Sequence, residues 1–241
     1  MAHPTLDPAE IAKFSALAAE WWNPKGPFGA LHRLNPARLG FIRNVAARHF
    51  GASSRHALAG LKTLDLGCGG GLVSAPLKRM GAALTAIDAS AEAIGAARAH
   101  AVQAGLDIDF RCLTAEALVE EGAQFDLVVA LEIIEHVADV AAFLEAAQAL
   151  VRPGGLIVLS TINRTPKARA LAIVGAERIL KWAPEGAHDY DKLVTPDEIR
   201  AGAQQIAWDE PVGVVYNPLG EGWSLSSDID MNYMMAGEKP T

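Results

Sequence analysis

Leu61-Lys62-Thr63-Leu64-Asp65-Leu66-Gly67-Cys68-Gly69-Gly70-Gly71 decides the fold. Apolar residues alternate through Leu61 to Asp65, four glycines follow within five positions, and Leu72 to Met80 carries a helical pattern. A strand, a tight turn and a helix start therefore succeed one another directly. Glycines at such a turn permit positive φ and let the backbone approach a ligand closely, while helix-start N–H groups favour a carboxylate or phosphate.

Spacing narrows the ligand. A dinucleotide fingerprint, G-x-G-x-x-G, would need glycine at position 72, where the chain has Leu72, although Gly67 and Gly69 fit the first two places. The next strand, about 83–87, ends in Asp88, about 20 residues beyond Gly67, where an acid accepts hydrogen bonds from ribose hydroxyls. A nucleoside without a pyrophosphate fits best, the alternative being glycines that only turn the chain and an Asp88 that only ends a strand. The D-x-G-x-G pattern with a following acid resembles the S-adenosylmethionine site of class I methyltransferases, with Asp65, Gly67, Gly69 and Asp88 as cofactor residues.

The 241 residues suffice for a single α/β domain with a well-buried core. The 51% hydrophobic fraction contains no unbroken apolar run of about 18 residues, and the first ten residues lack a secretory pattern, so the expectation is a chain working in the cytoplasm. Cys68 and Cys112 provide neither a disulfide framework nor zinc spacing. A net charge of −7 argues against a nucleic-acid partner and for a small acceptor.

Along the chain, Asp7-Pro8-Ala9-Glu10 predicts an N-cap, a first-turn proline and a capping-box glutamate for a helix from Pro8 to about Trp22, with the stripe Ile11, Phe14, Leu17, Ala18, Trp21. Asn35-Pro36 predicts a second helix to about Phe50, on which Arg38 shares the apolar face of Phe41, Ile42 and Val45. An inward arginine needs an anion: the cofactor carboxylate, or an acid of the domain itself. Strands are expected at about 61–66, 83–87, 108–112, 125–130 and 155–161, with helices at about 71–80, 90–104 and 139–150 between most of them, and two further strands near 207–216 and 224–236.

The fourth strand delivers Leu131-Glu132-Ile133-Ile134-Glu135-His136 to the carboxyl edge, where open α/β folds bind ligands. In a helical turn Glu132, Glu135 and His136 share a face, and oxygen ligands with one histidine suit Mg²⁺ or a similar ion. Such an ion would lower the pKa of a phenol, near 10, and a histidine could take its proton. Capping glutamates with a core histidine are the alternative.

These residues belong to segments through which nearly the whole chain resembles the ubiquinone-biosynthesis O-methyltransferases: IAKFSALAAEWWNPKGPFGALHRLNPARLGFI (11–42), LDLGCGGG (64–71), LEIIEHV (131–137), LVRPGGLIVLSTINRT (150–165), VGAERIL (174–180), GAHDYDK (186–192) and DMNYM (230–234). The resemblance implies a class I, Rossmann-like doubly wound seven-stranded sheet in one domain: a helical lid (1–50), a cofactor-binding core (61–161), an insertion with an amphipathic helix (165–200) and the last strands (207–236). It implies that Arg38, Gly67, Asp88 and Leu131 contact S-adenosylmethionine and that Glu132, Glu135 and His136 hold a divalent metal, Mg²⁺ being the expected ion. Leu131 stands where many members carry methionine. Leu113-Thr114-Ala115-Glu116 offers no acid directly after the third strand for the adenine amino group. His136, His188 and Glu132 are the catalytic candidates.

The expected substrate is a polyprenylated phenol or quinol, with another small-molecule acceptor as the alternative; a lipid-surface module that keeps the nucleoside pocket for regulation is a reading of a different class. The insertion carries Lys167, Arg169, Arg178 and Lys181 around an uncharged stretch, 170–176. That pattern suits an interfacial helix on anionic lipids or a lid over the site. The expected place is therefore peripheral, at the inner face of the cell membrane, with other ubiquinone-biosynthesis proteins as candidate partners.

Overall fold

The computed structural model describes residues 5–52, 56–170, 189–217 and 222–241. Two helices precede the sheet. α1 (Pro8–Ala16) starts at Asp7, whose side chain accepts from the N–H groups of Ala9 and Glu10, with Pro8 in the first turn. It ends six residues before the expected Trp22, and a 3₁₀ turn, Ala18–Glu20, follows. α2 (Gly29–Phe50) begins nearly two turns earlier than Asn35-Pro36 suggested, carries Pro36 inside and closes on Gly51 at φ 66°. Asn35 does not cap it. Its amide donates to the Leu72 carbonyl and its carbonyl accepts from Arg38, so a tertiary contact holds the residue that looked like a helix start.

The core then alternates: β1 (Lys62–Leu66), α3 (Ser74–Arg79), β2 (Ala83–Asp88), α4 (Ala91–Gln103), β3 (Asp109–Cys112), α5 (Ala115–Glu120), β4 (Phe125–Leu131), α6 (Val140–Leu150) and β5 (Val151–Ile162). After it come α7 (Pro166–Ala168), α8 (Pro196–Gly202) and the strands β6 (Ala207–Trp208), β7 (Val212–Asn217), β8 (Gly222–Ser226) and β9 (Asn232–Glu238). The sheet runs β3-β2-β1-β4-β5-β9-β7-β8, with β6 paired to β9. β1 to β5 are parallel, whereas β9 lies antiparallel against β5 and against β7. The first seven strands in that order form the expected sheet, and β8 and β6 extend it. Four late strands stand where two were read, because two-residue β6 and the β7–β8 hairpin are too short or too polar to separate by pattern.

Strand alternation distributes the core. Val128 and Ala130 of β4 pack with Phe143, Leu144 and Leu150 of α6, while Leu127, Val129 and Leu131 face Phe41, Ile42 and Val45 of α2 and Leu77 of α3. Both faces are covered, which is why β4 reads as a continuous apolar run. The arrangement leaves the carboxyl ends of β1, β2 and β4 adjacent, with the loops that follow them free to carry chemistry.

Candidate active site

The glycine loop leaves β1 by donating the N–H groups of Gly67 and Cys68 to the Ile87 carbonyl, 2.9 Å each. Gly67 (φ 75°) and Gly69 (φ 52°) occupy the left-handed region. A Cβ on Gly67 would lie 2.7 Å from Ile133, so glycine is required there twice over, by conformation and by approach. Asp88 ends β2 beneath this loop, and its carboxylate receives the Gly69 N–H and the Ser90 N–H, each at 2.8 Å. Burial raises its pKa, and the backbone N–H groups work against that rise.

A cavity of about 130 Å³ opens over these groups. Gly67, Gly69, Asp88, Glu132 and His136 line it, as do Leu113, Thr114 and Ala115 after β3. One wall comes from the amino-terminal segment, through Thr5, Leu6, Glu10, Phe14 and Trp21. That wall is tied down by hydrogen bonds from Thr5 to Glu116, from Ala138 N–H to the Thr5 carbonyl, and between Ser15 and Ser90.

The expected cofactor residues separate into two groups. Arg38, Asp65 and Leu131 are buried but do not line the cavity. Asp65 lies under the loop, where its carboxylate accepts the Ser74 hydroxyl at 2.5 Å and burial pushes its pKa up to about 6. Arg38 donates to Asn35 at 2.5 Å and lies 3.9 Å from Glu132, so the anion it faces in the structure is the protein's own acid; its Nε, fully buried, has no partner.

The three expected metal ligands point apart. Glu132 takes φ 52°, the one positive φ outside glycine among the described residues, and is held by its own N–H on the Ser160 carbonyl (2.9 Å), the Ser160 hydroxyl (2.6 Å) and the Asn232 amide (3.2 Å). Glu135 turns into the core, accepts the Thr161 hydroxyl at 2.9 Å, and is pushed up to about 7 by burial and then by Glu132. His136 turns the other way, with Nδ1 2.9 Å from Glu10 Oε2 and its ring edge-on to Phe14 at 4.9 Å. Among the described residues no group of three or more His, Cys, Asp or Glu is placed to hold a metal ion. The segment is a 3₁₀ turn, Ile134–His136, so the shared face expected of an α-helical turn does not form. His188 lies outside the described residues.

Glu10 is the residue that sequence reasoning misplaced. It forms no capping box; the hydrogen bond with His136 dominates its surroundings and holds its carboxyl below the usual range. The available signal was spacing: Glu10 and Phe14 are one helical turn apart, and both contact His136. Trp21, read in the sequence only as part of an apolar helix stripe, presses on the glycine loop, as does Ile133.

A glycine loop over an acid that ends the second strand, at the carboxyl edge of a sheet ordered 3-2-1-4-5-9-7, defines a class I S-adenosylmethionine-dependent methyltransferase. Residues 64–159 match the family described as methyltransferase domain. Solved structures share the fold: magnesium protoporphyrin IX methyltransferase from Synechocystis PCC 6803 with bound SAH (17% identity, TM-score 0.64, covering 95% of this chain and 94% of that one) and a possible histamine N-methyltransferase from Thermotoga maritima (16%, 0.62, 95% and 99%). Similarity to curated proteins is much closer. The ubiquinone biosynthesis O-methyltransferase of Chelativorans sp. (strain BNC1) is 51% identical, over 98% of this chain and 95% of its own length, and that of Sinorhizobium medicae (strain WSM419) is 50% identical over 99% and 98%. The chain belongs to the ubiquinone biosynthesis O-methyltransferases.

Proposed function

We propose that this enzyme methylates catechol-type hydroxyls of polyprenylated ubiquinone precursors, converting 3-demethylubiquinol to ubiquinol and 2-polyprenyl-6-hydroxyphenol to 2-methoxy-6-polyprenylphenol. The observation that carries the reading is identity of about half over essentially the full length, including the amino-terminal segment that walls the cavity.

S-adenosylmethionine supplies, when bound, a methyl group on a cationic sulfur that departs as a neutral thioether. The residues present fit it. Gly67 and Gly69 bring bare backbone to the cavity lining, and Asp88, held by two backbone N–H groups, keeps lone pairs for the ribose hydroxyls. Alignment supplies most of the remaining catalysis. An acceptor phenol, with pKa near 10, must lose its proton as its oxygen bonds to the methyl carbon. With Nδ1 tied to the Glu10 carboxylate, His136 carries its ring proton there and presents Nε2 as the base. Glu132, fixed by Ser160 and Asn232, accepts the neighbouring ring hydroxyl, which favours a catechol over a simple phenol. Phe14, Ile133 and Phe143 give the ring an apolar wall.

A divalent ion is the other route to a phenolate. As placed, the residues do not fit one: Glu135 turns into the core toward Thr161 while His136 turns the other way toward Glu10, and among the described residues no three His, Cys, Asp or Glu side chains converge on one point. No step here depends on a metal.

A polyprenyl tail dissolves in a membrane, so we place the enzyme at the inner face of the cell membrane, bound peripherally to anionic lipids, with other ubiquinone-biosynthesis proteins as neighbours. No helix among the described residues is long and apolar enough to cross a membrane. Half of the insertion, 171–188, falls outside the described residues. Of its basic residues, Lys167 pairs with Asp228 at 2.5 Å and Arg169 stacks on Tyr190 at 5.3 Å, while Arg178 and Lys181 lie outside the described residues.

The test is product formation. The purified enzyme is incubated with methyl-labelled cofactor and a short-chain prenyl catechol, then scored by mass spectrometry for a methoxy product. Methylation of soluble catechols or amines at equal efficiency, with no preference for the prenylated ring, would sink the substrate assignment.

A further inference from the structure

Two adjacent tryptophans join the amino-terminal segment to the glycine loop, and their indole N–H groups are treated differently. Trp22 donates to the Gly70 carbonyl at 2.9 Å. Trp21 is 8% exposed and its Nε1, buried, finds no partner. An indole nitrogen is a donor only, and a buried donor left unmatched is costly. The buried donors without a partner among the described residues are Trp21 Nε1, Arg38 Nε and Trp223 Nε1, and of these residues Trp21 alone lines the cavity.

Its position is built. The indole stacks on Phe28 with centroids 3.8 Å apart and planes 3° from parallel, and His32 Nε2 lies 2.9 Å from the Trp21 carbonyl. The ring covers Gly69 and Gly70 so closely that a Cβ on either would overlap it. A large side chain is thus fixed over the loop, in the wall of the cavity that Asp88 also lines, with an unmatched donor.

We propose that the Trp21 indole N–H donates a hydrogen bond to an oxygen of the bound cofactor, so that the amino-terminal segment is part of the cofactor site itself. The inference rests on the assignment of this cavity to S-adenosylmethionine. That ligand offers two kinds of oxygen near the loop, the ribose hydroxyls and the methionyl carboxylate, and the chemistry of the donor serves both.

Calorimetric titration of the full chain with S-adenosylhomocysteine tests it. Trp21→Phe keeps an aromatic ring and removes the N–H; it should weaken affinity about tenfold. Replacement of Trp21 by benzothienylalanine, in which sulfur takes the place of the N–H in a ring of the same shape, should do the same and decides the matter if Trp21→Phe fails to fold. The titration is repeated with 5′-methylthioadenosine, which lacks the carboxylate. A loss that persists assigns the bond to the nucleoside, and one that vanishes assigns it to the carboxylate. Parent affinity in the benzothienyl variant overturns the proposal. A parent protein that binds no S-adenosylhomocysteine overturns the cavity assignment instead, and the proposal with it.

Discussion

Oε2 of Glu10 lies 2.9 Å from Nδ1 of His136, joining the first helix to the turn after β4 across 126 residues of chain. If the pair is the base of the reaction, Glu10→Gln should lower kcat about tenfold or more, and His136→Ala about a hundredfold or more, with S-adenosylhomocysteine affinity unchanged in both. Steady-state kinetics beside calorimetry checks this. Equal kcat in parent and Glu10→Gln would reduce the contact to a structural tie.

Asp88→Ala should weaken S-adenosylhomocysteine binding by roughly 1.5–3 kcal/mol, the range for hydrogen bonds to a charged group. The Gly69 and Ser90 N–H groups lose their acceptor in the same variant, so thermal unfolding must be followed alongside the titration.

Gly70 offers a cleaner probe of the loop, since its φ is not in the left-handed region and its need for glycine comes from Trp21 lying against it. Gly70→Ala should displace the indole and weaken cofactor binding while costing little in the loop itself. Combined with Trp21→Ala, its effect on affinity should shrink, and additive losses would contradict that account.

Stability should carry the signature of Asp65. Its carboxyl, pushed up to about 6 by burial, holds a proton in the folded chain at pH values where the unfolded carboxyl has lost its own. Stability through this group therefore falls as pH rises from about 4 to about 6, by about 3 kcal/mol in total at 1.36 kcal/mol per unit. Denaturant unfolding at pH 4.5 and 7 should show a smaller difference in Asp65→Asn than in the parent.

Exhaustive chelation should leave S-adenosylhomocysteine affinity unaltered, because Gly67, Gly69 and Asp88 owe nothing to Glu135 or His136. Calorimetry with and without chelator checks it.

The parallel half of the fold was readable because β1, β4 and β5 are buried on both faces and the strands are separated by well-capped helices such as the one at Ser90. Arg38 among Phe41, Ile42 and Val45 was legible as an inward cation, and it is 2% exposed. Helix limits were less legible where tertiary contacts override local preference: Asn35 is spent on Leu72, and α1 stops early as Trp21 descends onto the loop. In the candidate site, residue types were apparent but directions were not. Glu132, Glu135 and His136 are close in sequence, yet a positive φ and a 3₁₀ turn send their side chains to three separate partners.

The antiparallel strand β9 sits between β5 and β7, and its register with β5, from Leu156↔Glu238 to Ile162↔Asn232, joins residues 70 or more positions apart. Until it docks, β5 presents an open, apolar edge and half of the sheet has no neighbour. Closing so long a loop comes late in folding, and the partly assembled chain is exposed to edge-to-edge association in the meantime. Tyr233, Met234 and Met235, all fully buried, are thus the positions at which a substitution should reduce the yield of soluble protein more than it reduces the activity of the molecules that do fold.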